Sequence, residues 1–160
     1  MQITIIQADY HNEQQGKDLV MLLNAYALDP MGGGTALTDD VQQNLVATIA
    51  KRNDFLTLLC YVDGKAAGIL NCVEGFSTFK CKPLLNIHDC GVLKKFRGLG
   101  LSQKLFIEAE KISRERGYCK LTLEVLEGNT VAQNAYRKLG FTGYELDEKT
   151  GKAMFWEKVL

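Results

Sequence analysis

The run Ile3 to Ala8, apolar at Ile3, Ile5 and Ile6, reads as an opening strand. From about Glu13 to Leu28 the apolar residues Leu19, Val20, Leu22, Leu23 and Tyr26 recur at helical spacing. Asp29-Pro30 and Gly32-Gly33-Gly34 break that helix and form a loop. Thr38 caps a second helix running to about Arg52, with Val41, Leu45 and Ile49 on its inner stripe. The β-rich runs Phe55 to Val62 and Ala67 to Val73, joined by Asp63-Gly64-Lys65, read as a hairpin. Phe76 to Pro83 reads as less regular, and Leu84 to Leu93 as a fourth strand. A helix from Ser102 to Arg116 ends at Gly117, a strand follows from Lys120 to Leu126, and a helix from Thr130 to Leu139 ends at Gly140. A closing hairpin is expected from Phe141 to Leu146 and Ala153 to Val159, turning at Lys149-Thr150-Gly151. The prediction is an α/β fold: a mixed sheet of about seven strands with about four helices packed on it, in one domain over residues 1–160.

Composition narrows the function. Nineteen basic residues offset nineteen acidic ones in 160 residues, so no electrostatic footprint for nucleic acid or an anionic membrane is expected. Neither a signal peptide nor a membrane-spanning run is read, and the expected location is cytoplasmic. The five cysteines are odd in number and contain no C-x-x-C pair, which suits reduced, mostly buried thiols. Only His11 and His88 are available to join them, at the wrong spacing for zinc, so no metal site is expected.

The segment from Asp89 to Phe106 runs strand, basic loop, glycine turn, helix. In Arg97-Gly98-Leu99-Gly100-Leu101-Ser102, the two glycines let the backbone approach a bulky anion with its amides pointing outward. A helix beginning near Leu101 adds unpaired N–H groups and the positive end of its dipole. Arg97, with Lys94 or Lys95, supplies mobile positive charge. It is neither a Walker loop, lacking Gly-Lys-Ser/Thr, nor a dinucleotide fingerprint, lacking the third glycine. The chemistry is that of a phosphate cradle.

Two blocks resemble the GNAT superfamily of N-acetyltransferases. The first is an apolar strand ending in Val92 followed by Arg97-Gly98-Leu99-Gly100, similar to that family's Arg/Gln-x-x-Gly-x-Gly/Ala; Ser102 stands where Gly or Ala is usual. The second, Asn129 to Phe141, looks like Asn-x-x-Ala-x-x-x-Tyr-x-x-x-Gly-Phe, with Asn129, Ala132, Tyr136, Gly140 and Phe141 in register. Within the superfamily the pattern is most similar to the small-amine branch, the spermidine/spermine acetyltransferases.

The resemblance implies a GNAT fold with strands 4 and 5 splayed, and acetyl-CoA as cofactor. Its pantetheine arm would enter the gap and bind the backbone of Cys90, Gly91 and Val92 as a missing strand would, with an amide near Val92 polarising the thioester carbonyl. Arg97, Gly98, Leu99, Gly100, Leu101, Ser102 and Gln103 would hold the diphosphate. Asn129 and Ala132 would contact the cofactor, Asn129 also capping its helix. Tyr136, otherwise a packing residue, would be the general acid that protonates the leaving thiolate. The base stays open between His88, Asp89, Glu124 and a water chain; His88 stands where the small-amine branch carries a glutamate, and histidine titrates near neutrality. Strand alternation sets His88 and Cys90 on one face and Asp89 and Gly91 on the other.

Acceptor-side candidates are Asp29, Phe76, Phe79, Asp89 and Glu124. Phe76 and Phe79 either wall an acceptor pocket or anchor a solvated loop, and Lys80 and Lys82 argue against a polycationic acceptor. The expected reaction is transfer of an acetyl group to a primary amine of a small molecule, by direct attack in a ternary complex. Alternatives are a longer acyl donor, a protein or peptide amine as acceptor, and a non-catalytic acyl-CoA-binding module. A homodimer is the partner that the family makes common.

Overall fold

The strand-forming runs of the first 123 positions build one sheet in the computed structural model, which describes residues 1–160. The strands are β1 (Ile3–Gln7), β2 (Phe55–Val62), β3 (Lys65–Ser77), β4 (Lys82–Val92) and β5 (Leu121–Leu123). They lie in chain order, with β1 to β4 antiparallel and β5 parallel to β4. The helices are α1 (Glu13–Ala27), α2 (Asp39–Ile49), α3 (Leu101–Glu115) and α4 (Thr130–Lys138). Two single 3-10 turns, Pro30–Gly32 and Lys94–Phe96, follow α1 and β4. No helix is long and apolar enough to cross a membrane.

The chain divides into two compact units, Met1–Leu123 and Glu124–Leu160. In the first, α1 and α2 cover one face of the sheet. Leu19, Leu22 and Ile49 pack there with Ala8, Leu59 and Ile69. The stripe of α3 (Leu101, Leu105, Phe106, Ala109) is buried where that helix meets β2, β3 and β4. Local chemistry sets the ends of the elements. The Asn12 and Thr38 side chains accept from the amides of Gln15 and Val41 at the starts of α1 and α2. Past the end of α3, Gly117 takes the left-handed conformation at φ 73°.

The second unit holds α4, whose cap Asn129 accepts from the Ala132 amide at 3.1 Å. Gly140, at φ 88°, ends it. The Tyr136 and Phe141 rings lie with centroids 6.1 Å apart, tilted by 60°.

Three expectations are corrected. Five strands form, not seven. The closing hairpin is reduced to one bridge, Glu145 to Lys152, around a turn in which Asp147 accepts from the amides of Lys149 and Thr150. Two strands alone are marginal in water, and here Tyr144, Leu146, Met154, Phe155 and Trp156 stay exposed, so no buried face holds the pair. The strand expected to Leu126 stops at Leu123. Conversely, Phe76 to Pro83 is more regular than its composition suggests: Phe76 pairs with Pro83 and Ser77 with Lys82, carrying the β3–β4 hairpin outward.

Candidate active site

One side of β4 is open. Its pairing with β5 covers only Leu85, Asn86 and Ile87, whereas its pairing with β3 continues to Val92. The Leu93 amide donates to the carbonyl of Ala67 on β3. Alternation then aims the backbone groups of Gly91 at β3 and those of Cys90 and Val92 away from it, toward the side where β5 has ended.

A second bank of donors follows at once. Gly98 and Gly100 take φ of 82° and 69°, a region that disfavours any side chain, and a Cβ at either would meet nothing within 4 Å. The amides of residues 98–103 donate to no backbone carbonyl, and the first helical bond runs from Lys104 to Gly100. No side chain caps α3. Gly98, Leu99, Gly100 and Gln103 are exposed, while Leu101, fully buried, anchors the start of the helix. Unsatisfied amides at a helix N-terminus suit a diphosphate, and the outward Cys90 and Val92 backbone suits an amide-bearing arm. The residues fit the cofactor.

Arg97 behaves differently from the expectation of a mobile cation. Its Nη2 donates to Asp29 Oδ2 at 2.8 Å and its Nε to the Val92 carbonyl at 3.1 Å. Asp29 also accepts from the Met31 amide, and together these donors, Arg97 first, hold its carboxyl below the usual range. Exposed Lys94 and Lys95 keep their charge beside the turn, with Lys95 Nζ 5.0 Å from the centre of the Phe96 ring.

His88 is the extra residue of a β-bulge. Asn71 pairs with Asp89 and Cys72 with Ile87, leaving His88 outside the ladder and exposed. The simple alternation expected for His88 through Gly91 therefore breaks at its first residue. Asp89 Oδ2 accepts from the Asn71 amide nitrogen at 3.0 Å. Across the sheet, Tyr26 of α1 packs so closely that a Cβ on Gly91 would lie 3.0 Å from its own Cβ. Burial pushes the Tyr26 phenol up, and the charges of Asp89, Cys90 and Asp29 add to the effect. Desolvation pushes the thiols of half-buried Cys90 and buried Cys72 up to about 12.

The structure thus brings Asp29, Asp89, Cys90, Gly91, Val92 and Arg97 to one end of β4, with the turn from Gly98 to Gln103 beyond. Phe76 and Phe79 lie elsewhere. Phe76 is five residues from Asn71, roughly 17 Å along β3 at about 3.4 Å per residue, and Phe79 at the hairpin tip is 98% exposed. Glu124, Asn129, Ala132 and Tyr136 belong to the second unit, where Glu124 is exposed and Tyr136 half-buried. Sequence reading missed Asn71, Thr57 and Tyr26. The signal for Asn71 was a polar residue inside the apolar run Ile69-Leu70-Asn71-Cys72.

An open β4 edge followed by a glycine turn and a helix N-terminus suits an acyl-CoA. The acetyltransferase (GNAT) family model matches residues 19–141, and the chain belongs to that family. It is 41% identical over 63 residues to a streptothricin acetyltransferase of Streptomyces lavendulae, covering 39% of this chain and 33% of that one. The chain spans between 33% and 65% of the length of the curated relatives it matches. Its fold is similar to that of an aminoglycoside acetyltransferase from an uncultured soil metagenomic sample, with a TM-score of 0.77 at 18% identity, over 99% of this chain and 97% of that one. It is also similar to AAC(6')-Iy bound to a CoA bisubstrate analogue, with a TM-score of 0.74 at 19% identity over all of both chains.

Proposed function

We propose that the protein is an N-acetyltransferase that moves the acetyl group of acetyl-CoA to a primary amine of a small molecule by direct attack. The observation that carries this is the double bank of unlatched amides, at Cys90 and Val92 and again at residues 98–103. A purely structural turn has no need to leave six consecutive amides without a carbonyl partner. When bound, acetyl-CoA supplies an activated thioester. The Val92 amide would hold the thioester carbonyl oxygen, and the turn amides with Lys94 and Lys95 would hold the diphosphate. Asp89 faces the acceptor and receives the proton that an ammonium must lose before its nitrogen can attack. The family resemblance implies that the Tyr136 phenol would supply the proton for the departing sulfur.

The acceptor proposed is a small amine of the kind that streptothricin and the aminoglycosides represent. Support comes from a relative and fold neighbours that acetylate such compounds, and from the Asp89 carboxylate beside the open edge of β4. The spermidine-type branch remains a second arm of the same test. Thiol release from acetyl-CoA should be followed across aminoglycosides, streptothricin, polyamines and amino acids. Turnover with an antibiotic amine supports the reading; with polyamines alone, the small-amine branch replaces it. No turnover with any amine, despite acetyl-CoA binding, overturns the reading in favour of a non-catalytic acyl-CoA module.

A further inference from the structure

A row of four polar side chains crosses the sheet between apolar neighbours. Tyr10 Oη donates to Thr57 Oγ1 at 3.2 Å, Thr57 Oγ1 to Asn71 Oδ1 at 2.7 Å, and Asn71 Nδ2 to Asp89 Oδ2 at 3.0 Å. Thr57 is 0% and Asn71 2% exposed, among Leu58, Leu59, Ile69 and Leu70, all fully buried. Burying such groups costs stability unless every donor and acceptor is met, so an apolar pair would be the cheaper core. The row has one direction. Thr57 has a single proton and commits it to Asn71, which fixes the amide with its oxygen toward β2 and its nitrogen toward β4. The last acceptor is Asp89.

Register makes the row possible. Thr57 is directly opposite Asn71, and Asn71 opposite Asp89. In a ladder with no bulge Asn71 would face His88 instead, since Cys72 pairs with Ile87. The bulge and the buried amide thus serve the same carboxylate, one residue before the open edge of β4.

We propose that Asn71 is a positioning residue, oriented by Thr57 and Tyr10, that holds Asp89 Oδ2 and thereby presents Oδ1 to the acceptor amine. This rests on the acetyltransferase reading above. Neither Asn71 nor Thr57 touches acceptor or cofactor; their effect passes through Asp89.

The test is the paired exchange Thr57→Val with Asn71→Leu, which replaces the row with apolar groups of similar size. The KM of the best amine from the panel should rise about ten-fold or more, while the acetyl-CoA KM stays within about two-fold of the native value. Thr57→Val alone should give a smaller rise, and Thr57→Ser should restore native behaviour because it keeps the hydroxyl. An unchanged acceptor KM in the paired variant overturns the proposal, as does an equal rise in both KM values. Crystal structures of the native protein and the paired variant separate this from the functional reading. If no amine is turned over, the acetyltransferase assignment fails, and the Asp89 rotamer alone decides: a rotated carboxylate supports the positioning role, an unmoved one ends it. Should the paired variant not fold, Asn71→Ala, which removes the donor without adding a second carboxyl beside Asp89, takes its place under the same criteria.

Discussion

Arg97 and Asp29, 68 residues apart in sequence, meet at 2.8 Å and tie the glycine turn to the loop that ends α1. Because Arg97 also donates to the Val92 carbonyl, one guanidinium fixes the last residue of β4, the start of the turn and the loop after α1. The Asp29 carboxyl is depressed chiefly by Arg97, so its contribution to stability is complete above its unfolded value near 3.8 and is lost as pH falls through the lower folded value. Asp29→Asn should therefore flatten the dependence of Tm on pH in the acid range below about 4. The loss at pH 7 should be small, at most about 3 °C, because Arg97 is half exposed and such pairs are weak. Thermal melts of both proteins across that range check it, and parallel curves would show that the pair does not couple to folding.

Gly100→Glu should abolish acetyl-CoA binding. The substitution puts a carboxylate among the amides that face the diphosphate and forces a side chain into φ 69°. Gly100→Ala separates the two effects: it should cost roughly 1–2 kcal/mol of stability while keeping most of the affinity. Calorimetry with acetyl-CoA reads both variants, and normal affinity in the glutamate variant would exclude the cradle.

Tyr136→Phe should lower acetyl transfer by about ten-fold or more and leave acetyl-CoA affinity near normal. The phenol is the proposed proton source for the leaving sulfur, and ring packing against Phe141 is retained in the variant. Single-turnover kinetics alongside a binding isotherm distinguish the roles, because a residue that only packs, with its ring kept, would move neither.

One thiol should react ahead of the others. Cys81 sits exposed at the hairpin tip, whereas Cys60 and Cys72 are buried and the Cys72 and Cys90 thiols are pushed up to about 12. Titration with a chromogenic disulfide at pH 8 should show a fast phase that Cys81→Ser removes.

Much of the frame could be read from the chain because local chemistry specifies it. Thr38 and Asn129 cap as expected, Gly117 and Gly140 end helices in the left-handed region, and Asp63-Gly64 turns the first hairpin. Other features depend on partners far away in sequence. Nothing near His88 signals a bulge, since the extra residue becomes apparent only when Asn71 and Cys72 have chosen their partners. Arg97 looks like a phosphate ligand until Asp29 is brought beside it. Phe76 to Pro83 appears irregular because a proline and two lysines hide a strand extension whose exposed tip tolerates them. The closing segment from Phe141 to Val159 has strand composition but gains no surface on which to lay it.

The inserted residue at position 88 works as a phase shifter for the chain that follows. Closing the bulge with every residue kept would slide the next four positions one place along β3: Asp89 would fall opposite Leu70 and lose its amide partner, and the outward peptide groups would become those of Asp89 and Gly91. The side chain now crowded against Tyr26 would then be Cys90 rather than hydrogen, wedging α1 off the sheet.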